Sequence, residues 1–434
     1  MMGGREAALE ALTACRRLDA WSDGSLKAAS RGLDRREAAL AARLAYGVLQ
    51  NRALLDFYLG GCCSQSFDKL EPFVRDVLRL GAYQILYMDR VPDSAAVDEA
   101  VEMVKRRKRQ RAAGLVNAVL RRLSREKDRL PELPAKDPAA YLSLRYSHPR
   151  WLVERLLELL GPEEAEAFLR LDNESADTSI QRNPLRCTAE ELLRALEGAV
   201  LTPHPWMPDC WALRGAGDLE QLDAFERGLF QVQDAAARAA VLAAGGRGGD
   251  RVLDVCAAPG GKSFALAMEM GDEGEITACD IHPHKLELIE KGARRLGLSS
   301  IRAVLADGRE NRADWNESFD LVFCDVPCSG LGIIRKKPDI RYKDPKALEG
   351  LPRVQGAILE NAARYVRPGG VLLYATCTVL PEENRGVTED FLARHGAFRE
   401  EGFSIPGLET AGDLTLWPQR HGTDGFYICK MRKL

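Results

Sequence analysis

The chain has 434 residues, with 61 Lys and Arg against 64 Asp and Glu and a formal charge of −3. That length suggests two or three domains, because single cores stop growing near roughly 250–300 residues. The 46% of hydrophobic and 29% of charged residues exclude a disordered chain. No window approaches the roughly 18 consecutive apolar residues of a membrane span, and the start, MMGGREAALEAL, lacks the apolar region of a signal peptide. Eleven irregularly spaced cysteines argue against a disulfide framework and for a reducing cytoplasm. The near-neutral total also counts against a nucleic-acid binder, but it is an average. Residues 1–145 carry a net +7, residues 146–235 a net −9, and residues 236–434 a net −1.

The first stretch reads as helices. Leu9, Leu12 and Cys15 recur at helical spacing, as do Leu40, Leu44 and Val48, then Val74, Val77 and Leu78. Gly60-Gly61 and Pro92-Asp93-Ser94 punctuate them, with Asp93 or Ser94 placed to cap the next helix. The run Lys105-Arg106-Arg107-Lys108-Arg109-Gln110-Arg111 is either a solvated face or a phosphate-contacting patch, and composition does not separate the two. A Pro-marked segment, 130–138, reads as a linker. The middle stretch then contains helices over Trp151–Leu160 and Ala189–Leu196 and short strands, a small connecting α+β subdomain.

From about residue 250, strands alternate with helices. Apolar strands are predicted at Val252–Val255, Ile276–Cys279, Ile301–Leu305, Leu321–Cys324 and Val371–Tyr374, with helices such as Lys285–Leu296 and Val354–Val366 between them. This alternation implies a doubly wound α/β sheet whose ligands sit beyond the carboxyl ends of its strands.

Three cofactors compete for the loop after the first of these strands, Cys256-Ala257-Ala258-Pro259-Gly260-Gly261-Lys262. A dinucleotide needs G-x-G-x-x-G, which the adjacent glycines do not supply. A nucleoside-triphosphate P-loop fits Gly261-Lys262-Ser263 but puts Cys256 where its opening glycine belongs. S-adenosylmethionine fits best: a small-residue loop for its methionine end, Asp280 after the second strand for the ribose, Asp307 after the third for the adenine, and Asp325 after the fourth.

Cys328, in Asp325-Val326-Pro327-Cys328-Ser329-Gly330, and Cys377, in Ala375-Thr376-Cys377-Thr378, follow neighbouring strands, so both should face the site of the methyl group. No metal site is expected, because neither Cys62-Cys63 nor Cys324-x-x-x-Cys328 has companion ligands. A redox pair is open but has no C-x-x-C motif. Beside a methyl donor a thiolate has a specific use. The C5 carbon of a pyrimidine is a poor nucleophile, and thiolate addition at C6 makes it enamine-like. Asp325 is placed to assist at N3, and a second cysteine is a reasonable participant in product release.

In these segments, and in Val252–Lys262, Tyr374–Asn384, His421–Tyr427 and Gly114–Arg122, the chain resembles the bacterial RsmB (Sun/Fmu) family of 16S rRNA cytosine-5 methyltransferases, over nearly its whole length. The resemblance implies an all-α NusB-like RNA-binding domain at 1–140, the connecting subdomain at 141–235, and a Rossmann-like methyltransferase domain at 236–434. It also implies that the loop Cys256–Lys262 with Asp280, Asp307 and Asp325 binds S-adenosylmethionine, that Cys377 is the nucleophile and that Cys328 assists release. Val326 stands where the family usually has Ala, and Thr378 where it often has Ser. The expected partner is RNA, 16S rRNA first and tRNA as the alternative; the expected enzyme is a cytoplasmic monomer with no membrane contact. A P-loop NTPase and a non-catalytic RNA-binding assembly factor are the competing classes. A second basic run, Arg335-Lys336-Lys337 with Arg341 and Lys343, follows the Cys328 segment where an RNA backbone would approach.

Overall fold

A computed structural model describes residues 3–18 and 22–434. Met1 and Met2, part of the start read above for a signal peptide, lie outside the described residues, as do residues 19–21. The chain forms two compact units, one of residues Met1–Ser175 with Ile334–Lys343 and the other of Ala176–Ile333 with Asp344–Leu434.

The first unit is helical: α1 (Gly4–Leu18), α2 (Ser22–Ala29), α3 (Arg35–Cys62), α4 (Pro72–Tyr87), α5 (Asp93–Arg106), α6 (Gln110–Glu126), α7 (Pro138–Tyr146), α8 (Arg150–Leu160) and α9 (Pro162–Leu171). Their apolar stripes make its core; on α6, Val116, Val119, Leu120 and Leu123 are buried at helical spacing. Helices α3 and α4 meet closely at Gly47, where a Cβ would lie 2.0 Å from the Tyr83 ring. Two local expectations fail. Gly60-Gly61 do not interrupt α3, which runs to Cys62. Asp93 does not cap α5; its carboxylate instead accepts from Ser124 Oγ at 2.7 Å and Lys127 Nζ at 3.1 Å.

Neither basic run is the bare cationic patch its composition suggests. In the first, Lys105 pairs with Glu102, Arg106 with Glu6, Arg107 with Glu10 and Arg109 with Glu71. In the second, Arg341 is fully buried in the helical unit. Its guanidinium donates to Asn173 Oδ1 at 2.7 Å and to the carbonyls of Tyr146 at 3.1 Å and Asp172 at 3.2 Å. Arg335 donates to the Ser175 carbonyl at 2.8 Å. Arg341 is therefore an anchor for the segment Ile334–Lys343, not the phosphate contact expected of it.

The second unit contains two main sheets. The small one joins β1 (Thr178–Arg182), β2 (Val200–Pro203), β3 (Cys210–Arg214) and β4 (Phe230–Val232) in the order β2-β3-β1-β4, all antiparallel. Helix α10 (Ala189–Ala195) follows β1 and α11 (Asp223–Glu226) precedes β4, the β-α-β-β-α-β arrangement of ferredoxin-like domains. The large sheet carries the site. Strands β5 (Arg251–Asp254), β6 (Glu275–Asp280), β7 (Ile301–Leu305), β8 (Phe319–Asp325) and β9 (Val366–Thr376) run parallel in the order β7-β6-β5-β8-β9. The sheet continues through the last strand of the chain, Phe426–Lys433, which is antiparallel to β9. All five expected strands are present; β5, β6, β8 and β9 are rich in buried side chains such as Val252, Leu253, Ile276, Phe323 and Leu373, whereas the edge strand β7 has no buried residue. The order reverses between β5 and β8, so the loops after those two strands leave in opposite directions and open a crevice at their carboxyl ends.

Candidate active site

The loop after β5 enters helix Gly261–Glu269 through Gly260, whose φ of +110° and contact with the Phe264 ring leave no room for a Cβ. Ala257 N–H donates to the Cys279 carbonyl at 2.7 Å, which ties the loop to the end of β6. Burial first, then the neighbouring Cys324 and Asp254, push the Cys256 thiol well above its ordinary range, so it is an inert lining group. Beneath the loop, Asp254 is fully buried and accepts from Ser263 Oγ at 2.6 Å.

Asp280 ends β6, buried, with one oxygen accepting from the His282 N–H at 2.9 Å. Asp307 follows β7, half-buried, and pairs with exposed Arg309 at 2.6 Å, which holds its carboxyl below the usual range. A carboxylate has about four acceptor positions; Asp280 accepts one hydrogen bond and has capacity for a ribose hydroxyl. Asp307, by contrast, is gripped by the backbone N–H, Nε and Nη2 of Arg309, and this exposed side chain must release it for an exocyclic amine to bind. With a small-residue loop at the switch point, this donor and acceptor set fits S-adenosylmethionine. It does not fit a triphosphate, because Ser263 is engaged by Asp254 and Lys262 by a carboxylate across the crevice.

That carboxylate is Asp325, the last residue of β8, and Lys262 Nζ donates to its Oδ2 at 2.6 Å. Lys262 also lies over the Phe426 ring at 5.4 Å. Burial works against the ammonium, but Asp325, with smaller help from Cys377, outweighs it and holds the lysine above its ordinary value. Composition placed Lys262 in the cofactor loop; its charged end works on the far wall.

Cys328, three residues past β8, and Cys377, next after β9, come together with their sulfurs 3.3 Å apart. The hydrogen bond to Cys377 first, then burial and the charges of Cys377, Glu383 and Asp325, push the Cys328 thiol well above its ordinary value. All eleven cysteines are free thiols. Among the described residues no group of three or more His, Cys, Asp or Glu side chains is arranged to hold a metal ion.

Residues 241–432 match the family described as 16S rRNA methyltransferase RsmB/F, residues 2–125 the NusB family, and residues 148–220 the ferredoxin-like domain of RsmF/B-like methyltransferases. The chain is 36% identical to a Bacillus subtilis protein named probable ribosomal RNA small subunit methyltransferase B, across 99% of this chain and 98% of that one. The chain belongs to the RsmB/F methyltransferase family. It is 33% identical to the ribosomal RNA small subunit methyltransferase B of Erwinia tasmaniensis, over 94% of this chain and 93% of that one. The crystal structure of PH0851 superimposes with a TM-score of 0.84 at 27% identity, covering 99% of this chain and 98% of that one. As a family member it is an RNA methyltransferase with S-adenosylmethionine as methyl donor. The expected three-part fold holds: NusB-like helices, a small subdomain that proves ferredoxin-like, and a Rossmann-like methyltransferase domain. No helix among the described residues is long and apolar enough to cross a membrane.

Sequence reasoning gave no role to Gln355, Ser329, Glu383 or Asn384, all buried around the two thiols. For Glu383 and Asn384 the signal was present in Tyr374–Asn384 but carried no chemistry of its own; Gln355, on helix Leu351–Tyr365, is far from the cysteines in sequence and gave none.

Proposed function

We propose that this RsmB/F-family enzyme methylates C5 of a cytosine in 16S rRNA through a covalent adduct between Cys377 and C6 of the base. The observation that carries the reading is the 3.3 Å approach of Cys328 and Cys377 beside the Lys262–Asp325 pair, at the carboxyl edge of the parallel sheet. One ordinary nucleophilic enzyme needs one thiol; two in contact suit a reaction in which one sulfur adds and a second group removes a proton later.

S-Adenosylmethionine, held by the loop Cys256-Ala257-Ala258-Pro259-Gly260-Gly261-Lys262 with Asp280 and Asp307, supplies an electrophilic methyl group. Cys377 forms a bond from Sγ to C6, and the π electrons of the C5–C6 bond move toward C5 and N3. The Lys262–Asp325 pair carries an exchangeable proton, which Asp325 delivers to N3 as negative charge develops there. Once C5 carries the methyl group, Cys328 passes its thiol proton to the Lys262–Asp325 pair, which gave one up to N3, and the thiolate so formed takes the remaining hydrogen of C5 as a proton. The C5–C6 double bond then re-forms as the bond from C6 to Cys377 breaks, the sulfur leaving as thiolate and N3 giving up its added proton to solvent. The three domains are assigned to residues 1–140, 141–235 and 236–434, and the free thiols suit the reducing cytoplasm.

The test is to incubate the enzyme and S-adenosylmethionine with naked 16S rRNA, 30S subunits and tRNA, then map 5-methylcytosine. Modification of one or a few cytosines in 16S rRNA, free or in the particle, is expected. Signal confined to tRNA would overturn the substrate and leave the chemistry. Methylation at any position other than C5 would overturn the chemistry.

A further inference from the structure

We propose that the adjacent residues Glu383 and Asn384 are the positioning element of the active site, each bracketing one of the two thiols so that together they set the sulfur–sulfur separation. Neither touches a reacting atom. Both are 2% exposed, at the end of the single turn Pro381–Glu383 that follows the Cys377 loop.

Glu383 holds the segment on either side of Cys328. Its Oε2 accepts from the Ser329 N–H at 2.8 Å and from Gln355 Nε2 at 2.8 Å, and the same Gln355 Nε2 donates to the Pro327 carbonyl at 3.0 Å. Asn384 does the equivalent for Cys377. Its Oδ1 accepts from Thr376 Oγ1 at 2.5 Å, and its Nδ2 donates to the Thr378 carbonyl at 3.0 Å. A hydroxyl–hydroxyl bond of 2.7 Å between Ser329 and Thr378 crosses between the two loops. The Tyr374 hydroxyl donates to the Glu383 carbonyl at 2.5 Å and fixes the pair to β9.

The chemical types matter. A buried carboxylate persists only where hydrogen bonds hold it, and the bonds of Glu383 go to the Ser329 N–H beside Cys328 and to the Gln355 amide that also grips Pro327. An amide is needed at 384 because one neighbour of Cys377 presents a donor and the other an acceptor. Loops left to themselves would not hold two sulfurs at contact distance, and a displacement of about 1 Å in an active site costs about 10²-fold in rate. The charge of Glu383 adds a second effect, helping to keep the proton on Cys328.

The experiment has one readout that is independent of which thiol does what. Diamide oxidises two adjacent thiols to a disulfide, its N=N bond taking up the two electrons and two protons they lose. In the full-length protein, formation of the Cys328–Cys377 bond is followed by mass spectrometry. Glu383→Ala and Asn384→Ala are expected to slow it about 10-fold or more, and Gln355→Leu several-fold. Glu383→Gln should stay near wild type, since its amide oxygen can replace Oε2. S-Adenosylmethionine binding measured by calorimetry reports that each variant is folded; should Glu383→Ala not fold, Gln355→Leu and Asn384→Asp carry the test. Wild-type oxidation rates in folded Glu383→Ala and Asn384→Ala, or in Gln355→Leu and Asn384→Asp where these carry the test, would overturn the proposal.

The second readout rests on the proposed division of labour. Asn384→Ala should impair capture of 5-azacytosine RNA, and Glu383→Ala should accumulate adduct after methyl transfer, a split that general loss of stability would not produce. If the two phenotypes swap while oxidation remains slow, the positioning stands and the roles of the thiols are reversed.

Discussion

Cys328 and Cys377 lie 3.3 Å apart, sulfur to sulfur, although 49 positions separate them in the chain. The hydrogen bond between them, burial, and the carboxylates of Glu383 and Asp325 all push the Cys328 thiol up. Cys377 is the proposed nucleophile. Cys377→Ala is therefore expected to abolish both 5-methylcytosine formation and covalent capture of 5-azacytosine-containing RNA. Cys328→Ala should still methylate once, then stall as a protein–RNA adduct visible as a retarded band on a denaturing gel, with multiple turnover reduced about 10²–10⁴-fold. Adduct formed by Cys377→Ala and not by Cys328→Ala would reverse the assignment.

Lys262 sits in a cofactor loop but spends its charge on Asp325, 2.6 Å away. Its removal should therefore act on the chemical step more than on the cofactor. Lys262→Met keeps the buried stem and removes the proton shared with Asp325. A fall in kcat of about 10²–10⁴-fold is expected, with the Kd for S-adenosylmethionine within a few-fold of wild type by calorimetry. A large rise in that Kd with kcat preserved would return Lys262 to the cofactor.

The parallel strands were legible because a fully buried strand shows as a continuous apolar run, and Asp280, Asp307 and Asp325 were legible because they end such runs or follow close after. That Cys328 and Cys377 face one crevice followed from their places after neighbouring strands; that their sulfurs lie in contact did not. What composition could not show was pairing. The cations at 105–109 look free in sequence, yet Glu6 and Glu10 of α1 and Glu71 just before α4 pair with three of them. Arg341 looks like surface in a basic run, yet its segment belongs to the helical unit. Such contacts join residues dozens to hundreds of positions apart, and no local pattern encodes them.

Arg341 provides a test of that reassignment. Its guanidinium donates to the carbonyls of Gln50, Tyr146, Ser147 and Asp172 and to the Asn173 side chain, and each acceptor left unpaired inside the fold costs about 1–3 kcal/mol. Arg341→Met should lower stability by about 2–5 kcal/mol in denaturant unfolding of the helical unit. Each phosphate contact contributes about 0.7–0.9 to the slope of log K against log salt. For refolded Arg341→Met the slope of RNA binding should match wild type; a slope lower by that amount would make Arg341 a phosphate contact after all.

Asp254 makes stability depend on pH in a direction opposite to most carboxylates. Burial, partly offset by the Ser263 hydrogen bond and reinforced by the charge of Asp325, pushes its carboxyl up to about 7. An aspartate in the unfolded chain titrates near pH 4. Between about pH 4 and 7 the folded protein thus holds a proton that the unfolded chain has released. The corresponding stabilisation is complete below the unfolded value and is lost as pH rises through 7, a swing on the order of 4 kcal/mol. Asp254→Asn has the same shape, offers an amide oxygen to Ser263, and does not ionise. Its melting temperature should gain on wild type as pH is raised from 5 to 8, in matched buffers at constant ionic strength. A difference that stays flat over that range would mean that Asp254 is ionised in the folded protein at neutral pH, with Lys262 supplying the compensating charge.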